Sequence, residues 1–86
     1  MFVILAYDVN KKRVGKVLKV CRKYLVHIQR SVFEGQITEK QLKNLKRELF
    51  QIIKVTEDSI CIYSMNSPKY SMKEQIGLTI DNSHIF

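Results

Sequence analysis

Residues equipped for chemistry are sparse in this chain of 86 residues, and Asp8 stands apart from the rest. It closes the apolar run Met1–Val9, MFVILAYDV. A carboxylate in that position could bind a hard cation or cap the next helix or turn. If a two-fold axis brought two copies of Asp8 together, the like charges would repel. One would then be protonated, or a cation would lie between them. Magnesium commonly takes one or two carboxylates and completes its shell with water and phosphate oxygens. An ion held that way polarises a phosphodiester and lowers the pKa of bound water. The residues alone leave the capping and metal-binding readings both open.

Other chemistry is weakly represented. His27 and His84 occupy unrelated positions and read as structural or exposed side chains. Cys21 and Cys61 sit in apolar patterns without metal-ligand or redox spacing, which reads as small buried thiols in a reducing compartment. No Ser/His/Asp or Cys/His set is recognisable, and there is no glycine-rich phosphate loop.

Charge is the second signal. The formal net charge is +7. Lys11, Lys12, Arg13, Lys16, Lys19, Arg22 and Lys23 crowd into one segment that holds no acid, while the rest of the chain is balanced. A concentrated basic element points to a polyanion partner more strongly than a diffusely basic surface does. The plainer alternative is a solvated lysine face.

The elements that must position these residues follow from periodicity. Met1–Val9 reads as a strand with Phe2, Ile4, Ala6 and Asp8 on one face and Val3, Leu5, Tyr7 and Val9 on the other. Both faces are apolar, so both should be covered. Asn10 is placed to cap a helix from Lys11 to about Leu25, with Val14, Val17, Leu18, Cys21 and Leu25 as its apolar stripe. Gly15 lies within it, either for close packing or for nothing. Val26–Ile37 reads as extended structure, one kinked strand or two short ones, with Gly35 placed to relieve a bend or bulge. Thr38-Glu39-Lys40-Gln41 fits a capping box for a second helix carrying Leu42, Leu45, Leu49, Ile52 and Ile53. Val55–Asp58 is a connector and Ser59–Met65 a strand; Asn66-Ser67-Pro68 marks a turn, a short strand around Ile76–Ile80 follows, and Asp81–Phe86 is a tail.

That order predicts one α+β domain over residues 1–86, a ferredoxin-like βαββαβ sandwich with an extra short C-terminal strand. Two helices cover only one face of such a sheet. The apolar opposite face predicts a homodimer packed across it. No run reaches the length of a membrane span, and no signal peptide is recognisable, so a cytoplasmic protein is expected.

Three features taken together resemble the small CRISPR-associated proteins of the Cas-two type. They are Tyr7-Asp8-Val9 at the strand end, Lys12-Arg13 in the basic helix, and Gln29-Arg30-Ser31-Val32-Phe33-Glu34-Gly35. The resemblance implies a ferredoxin-like homodimer whose C-terminal strand can join the partner's sheet. It implies that Asp8 binds a divalent cation, one Mg2+ shared per dimer, and supports phosphodiester cleavage as an endoribonuclease or endonuclease. Tyr7, Ser31 and Phe33 match positions near that cleft. The resemblance further implies a role in CRISPR adaptation, with the dimer bridging the adaptation integrase and holding duplex DNA. Lys12, Arg13, Lys16, Lys19, Arg22 and Lys23 are the matching contacts, with Arg30 a lesser one; single-stranded RNA is the other candidate substrate. Two departures stand out. Asn10-Lys11-Lys12 replaces the further acids that some members carry here, leaving one carboxylate per protomer. The chain also ends soon after its last strand, leaving Ile85 and Phe86 to fill a small pocket in docking the integrase. Alternatives are a toxin-type ribonuclease of similar fold, a non-catalytic nucleic-acid-binding module, and a metabolite-binding regulatory domain.

Overall fold

A computed structural model describes residues 1–67 and 70–77. The element order is β1 (Phe2–Asp8), α1 (Lys11–Tyr24), β2 (Val26–Gln29), β3 (Val32–Gln36), α2 (Glu39–Ile52), β4 (Ser59–Ser67) and β5 (Tyr70–Gly77). The five strands form one sheet in the order β2-β3-β1-β4-β5, with every neighbouring pair antiparallel. The first four strands and two helices are the ferredoxin-like arrangement, and β5 extends the sheet beyond β4.

Both helices begin where the sequence supplies a cap. Asn10 accepts from the Lys12 amide at 3.0 Å and starts α1. Thr38 accepts from the Gln41 amide at 3.1 Å, while the Gln41 side chain accepts from the Thr38 amide at 2.9 Å. This reciprocal pair satisfies two amides that have no partner within the helix. The core lies between the helices and one sheet face, with Val3, Leu5, Val17, Cys21, Phe33, Leu45, Leu49, Ile60 and Ile62 fully buried. The apolar stripe of α1 sits slightly differently from the expected one. Val20 is buried, whereas Val14 is 36% exposed. Gly15 has open space where a Cβ would stand, so it serves no packing contact.

Of the two readings of Val26–Ile37, the structure has two short strands, joined at Arg30-Ser31 with Arg30 at a φ of 31°. A two-residue hairpin favours positive φ at its first turn position, and arginine gives no sequence cue for one. The bulge falls in β2 between His27 and Gln29; Gly35 instead lets Leu25 approach, since a Cβ there would lie 3.3 Å from Leu25 Cδ2. The last strand is Tyr70–Gly77 and pairs with β4 of its own chain, so it starts well before Ile76. Its middle, Lys73-Glu74-Gln75, carries no apolar alternation. Glu74 stands opposite buried Ile62 and is neutralised by Lys46 from α2 at 2.9 Å, which permits a polar residue on the core side. Pro68 of the expected turn, residues 78–80 of the expected strand and the tail Asp81–Phe86 lie outside the described residues.

Candidate functional site

The antiparallel registers bring several distant segments to one end of the sheet. β1 finishes there at Asp8, which pairs with Ser59 at the start of β4, and Ser59 pairs with Gly77 at the end of β5. The β2–β3 turn reaches the same end, because Ala6 pairs with Val32. The first turn of α1 starts there too, two residues beyond the strand.

Asp8 is exposed at this end. By strand alternation it points away from the helices, sharing a face with Phe2, Ile4 and Ala6. The capping role does not fall to it. Asn10 caps α1, and the Asn10 amide donates to Asp58 Oδ1 at 2.9 Å. Among the described residues, no side-chain hydrogen bond or ion pair engages Asp8, and no group of three or more His, Cys, Asp or Glu is placed to hold a metal ion.

Tyr7 and Phe33 turn the other way. Phe33 is a fully buried core residue, and the Tyr7 ring stacks against it at 6.1 Å between centroids. Burial raises the Tyr7 phenol above its ordinary value, with a smaller upward push from Cys21, so it stays protonated at neutral pH. Both residues support the strand end from the helix side. His27 extends the aromatic stack, its ring lying 4.4 Å from that of Phe33, and its Nε2 meets the Arg30 carbonyl. Ser31 acts through its backbone, where its carbonyl accepts from the Tyr7 amide at 3.1 Å. Arg30 sits exposed at the hairpin tip.

The basic residues divide into two groups. Lys12, Lys16, Lys19 and Arg22 are exposed on α1. Lys12, Lys16, Lys19 and Lys23 fall at spacings of four, three and four, so they form one stripe along roughly 16 Å of helix. Lys23 is partly committed, since its ammonium pairs with Glu48 of α2, which also accepts from the Tyr24 hydroxyl. Those contacts hold the Glu48 carboxyl below its ordinary range and raise the Lys23 ammonium and the Tyr24 phenol. Arg13 is taken out of the set. It faces Asp58 and Glu57, with Nε to Asp58 Oδ2 at 2.6 Å, Nη2 to Asp58 Oδ1 at 3.0 Å, and Nη2 to Glu57 Oε1 at 3.1 Å.

Asp58 is the functional-end residue that sequence reasoning missed. It sits in a connector that reads as solvent-exposed, and two of its partners, Arg13 and Asn10, are 45 and 48 residues away in sequence. The arginine fork, with further backbone donors, holds its carboxyl down at about 2.

Comparison with known proteins supplies a family for this arrangement. The sequence pattern of the family CRISPR associated protein Cas2 matches residues 1–73. The chain belongs to the Cas2 family. It is similar to a protein of Dictyoglomus turgidum named CRISPR-associated endoribonuclease Cas2, with 50% identity over 78 residues, 91% of this chain and 90% of that one. A Thermotoga maritima protein of the same name is 45% identical over 78 residues, with the same coverage of both chains. Among solved structures, a Cas2 crystal structure aligns with a TM-score of 0.75 at 37% identity, covering 96% of this chain and 91% of that one. Streptococcus pyogenes Cas2 aligns with a TM-score of 0.70 at 38% identity, covering 77% and 87% respectively. The Cas2 relatives thus share the ferredoxin-like fold and nearly the full length of this chain. No described helix is long and apolar enough to cross a membrane.

Proposed function

We propose that this chain is an endoribonuclease of the CRISPR system that cleaves phosphodiesters through Asp8 and works as a homodimer. The observation that carries the reading is the state of Asp8: an exposed strand-end carboxylate whose possible capping work is done by Asn10. The relatives named endoribonuclease, at up to 50% identity over 91% of the chain, give the substrate class.

The sheet face opposite the helices supports the dimer. Phe2, Ile4, Ala6, Val32, Cys61, Tyr63 and Met65 are only half-buried in a single chain, and Val26 and Ile28 at its edge are 67% and 48% exposed. A second copy across this face removes that apolar surface from water. Asp8 ends the same face, so a two-fold axis near the strand end brings two Asp8 side chains together.

Among the described residues one chain offers a single uncommitted carboxylate here, which does not hold a metal alone. Two Asp8 carboxylates match the chemistry of one Mg2+, with water and phosphate oxygens completing the shell. When bound, the ion would polarise the phosphodiester and acidify a water. Within the chain, Asp8 supplies the negative charge, the Tyr7–Phe33 stack stiffens the strand behind it, and Lys12, Lys16, Lys19 and Arg22 attract the phosphate backbone.

The lysine stripe also favours a second role, compatible with the first. It suits sequence-independent binding of duplex DNA in CRISPR adaptation, with the dimer bridging the integrase. The two roles separate by substitution. Asp8→Ala is expected to abolish metal-dependent RNA cleavage while leaving duplex affinity and integrase bridging intact. Lys16→Glu with Lys19→Glu is expected to weaken duplex binding strongly. Unchanged cleavage by Asp8→Ala refutes the catalytic reading, and unchanged duplex affinity in the double reversal refutes the helix as the DNA contact.

A further inference from the structure

Asp58 is a fully buried charged side chain that the proposed chemistry does not yet use. A carboxylate out of water must be compensated, so its partners reveal its task. Oδ1 accepts from the Asn10 amide at 2.9 Å and from Arg13 Nη2 at 3.0 Å. Oδ2 accepts from the Lys54 amide at 2.8 Å and from Arg13 Nε at 2.6 Å. Every strong acceptor direction is used, and the arginine fork fixes the carboxylate plane.

The Asn10 amide is the informative partner. It lies two residues past Asp8, in the turn from β1 into α1. On the other side of Asp8, the Tyr7 amide donates to the Ser31 carbonyl at 3.1 Å. Asp8 itself pairs with Ser59, the residue that follows Asp58. The backbone carrying the exposed carboxylate is therefore held before it, beside it and after it. The helix cap needs none of this, because the Asn10 side chain already supplies it. Gly77 closes the same end: a Cβ there would lie 2.1 Å from the Asp58 carbonyl oxygen, so β5 packs directly on the Asp58 backbone.

We propose that Asp58, gripped by Arg13, is a positioning residue that fixes the Tyr7–Asn10 segment and so sets the place and angle of Asp8 against the scissile phosphate. This rests on the reading of Asp8 as the catalytic carboxylate. Productive geometry tolerates about 0.5 Å of error, and a misplacement of about 1 Å can lower a rate on the order of a hundredfold. A turn released from Asp58 loses its anchor on the helix side of Asp8 while keeping the sheet ladder on the other.

The test compares four variants by kcat and KM for RNA cleavage in Mg2+, below each melting temperature, and by amide hydrogen exchange at Asn10. Asp58→Asn keeps the side-chain size but loses the charge. Its kcat is expected to fall at least tenfold with KM within twofold, and Asn10 exchange to quicken at least tenfold. Arg13→Lys keeps the charge but loses the fork, and is expected to fall between wild type and Asp58→Asn; it carries the test if Asp58→Asn does not fold. Leu42→Ala thins the core at the opposite, Met1 end of the sheet, and is expected to lower the melting temperature with kcat and Asn10 exchange unchanged. Wild-type kcat in Asp58→Asn and Arg13→Lys, with Asp8→Ala inactive, overturns the positioning role and spares the reading of Asp8. A fully active Asp8→Ala overturns both.

Discussion

Asp58→Asn should change how stability depends on pH, and by an amount the structure sets. The carboxyl of Asp58 is lowered from an ordinary value of 3.8 to about 2, chiefly by the hydrogen-bonded Arg13 and then by the Lys54 and Asn10 amides, against the cost of burial. A folded-state value below the unfolded one means that the unfolded chain takes up the proton first. The stabilisation is present above pH 3.8 and is lost as pH falls toward 2. At about 1.4 kcal/mol per unit, the loss between neutral pH and pH 2 is about 2 kcal/mol, with about half of it gone by pH 3. Asparagine does not titrate, so the stability gap between wild type and Asp58→Asn should narrow by that amount. Urea unfolding followed by circular dichroism at pH 6, 4, 3 and 2.5 measures it. A slope on the order of 1 kcal/mol per molar makes the effect a relative midpoint shift of roughly 1–2 M. Glu48, lowered by Lys23 and Tyr24 away from this cluster, is common to both proteins and cancels in the difference, whereas Glu57 shares Arg13 with Asp58 and is removed by making the comparison in a Glu57→Gln background. A gap that stays constant from pH 6 to 2.5 would refute an ionised, arginine-paired Asp58.

Further expectations concern single elements. Gly15→Ala, at an exposed helix position with open space for a methyl, should stabilise the protein by about 0.5–1 kcal/mol in thermal melts. Gly77→Ala should lower the melting temperature, since φ is 95° there and the new Cβ would meet the Asp58 carbonyl at 2.1 Å. The Lys16→Glu, Lys19→Glu double variant should reduce the slope of log affinity for duplex DNA against log salt by roughly 2 in a fluorescence titration. Cys21, buried with its thiol pushed up to about 12, should resist thiol reagents in the native protein and react once it is unfolded.

What could be read from the chain alone was whatever repeats over short spans. The alternation of Met1–Val9, the i, i+4, i+8 spacing of Val17, Cys21 and Leu25, the Asn10 cap and the Thr38–Gln41 box are all encoded within a few residues, and all appear in the structure. The ferredoxin-like order followed from them. The basic run was also visible, but its division was not. Arg13 differs from its lysine neighbours only through acids 44 and 45 residues away, brought close when the α2–β4 connector folds beside α1. Asp58 was invisible for the same reason, because a charged residue in a connector reads as exposed until its partners are known. The hairpin at Arg30-Ser31 lacked the Asn-Gly or Asp-Gly signature of a two-residue turn. The extent of β5 is not legible in the sequence because a polar edge strand whose Glu74 is neutralised by Lys46 carries no apolar alternation.

The central claim is that the Asp8 carboxylate performs the chemistry, and Asp8→Asn tests it with the smallest change, removing a charge while keeping the shape. Single-turnover cleavage of an end-labelled RNA in Mg2+ should slow at least a hundredfold. The melting temperature and duplex affinity should stay at wild-type values, because Asp8 is exposed and engaged by no side-chain bond among the described residues. Cleavage within threefold of wild type by the purified variant would contradict the claim.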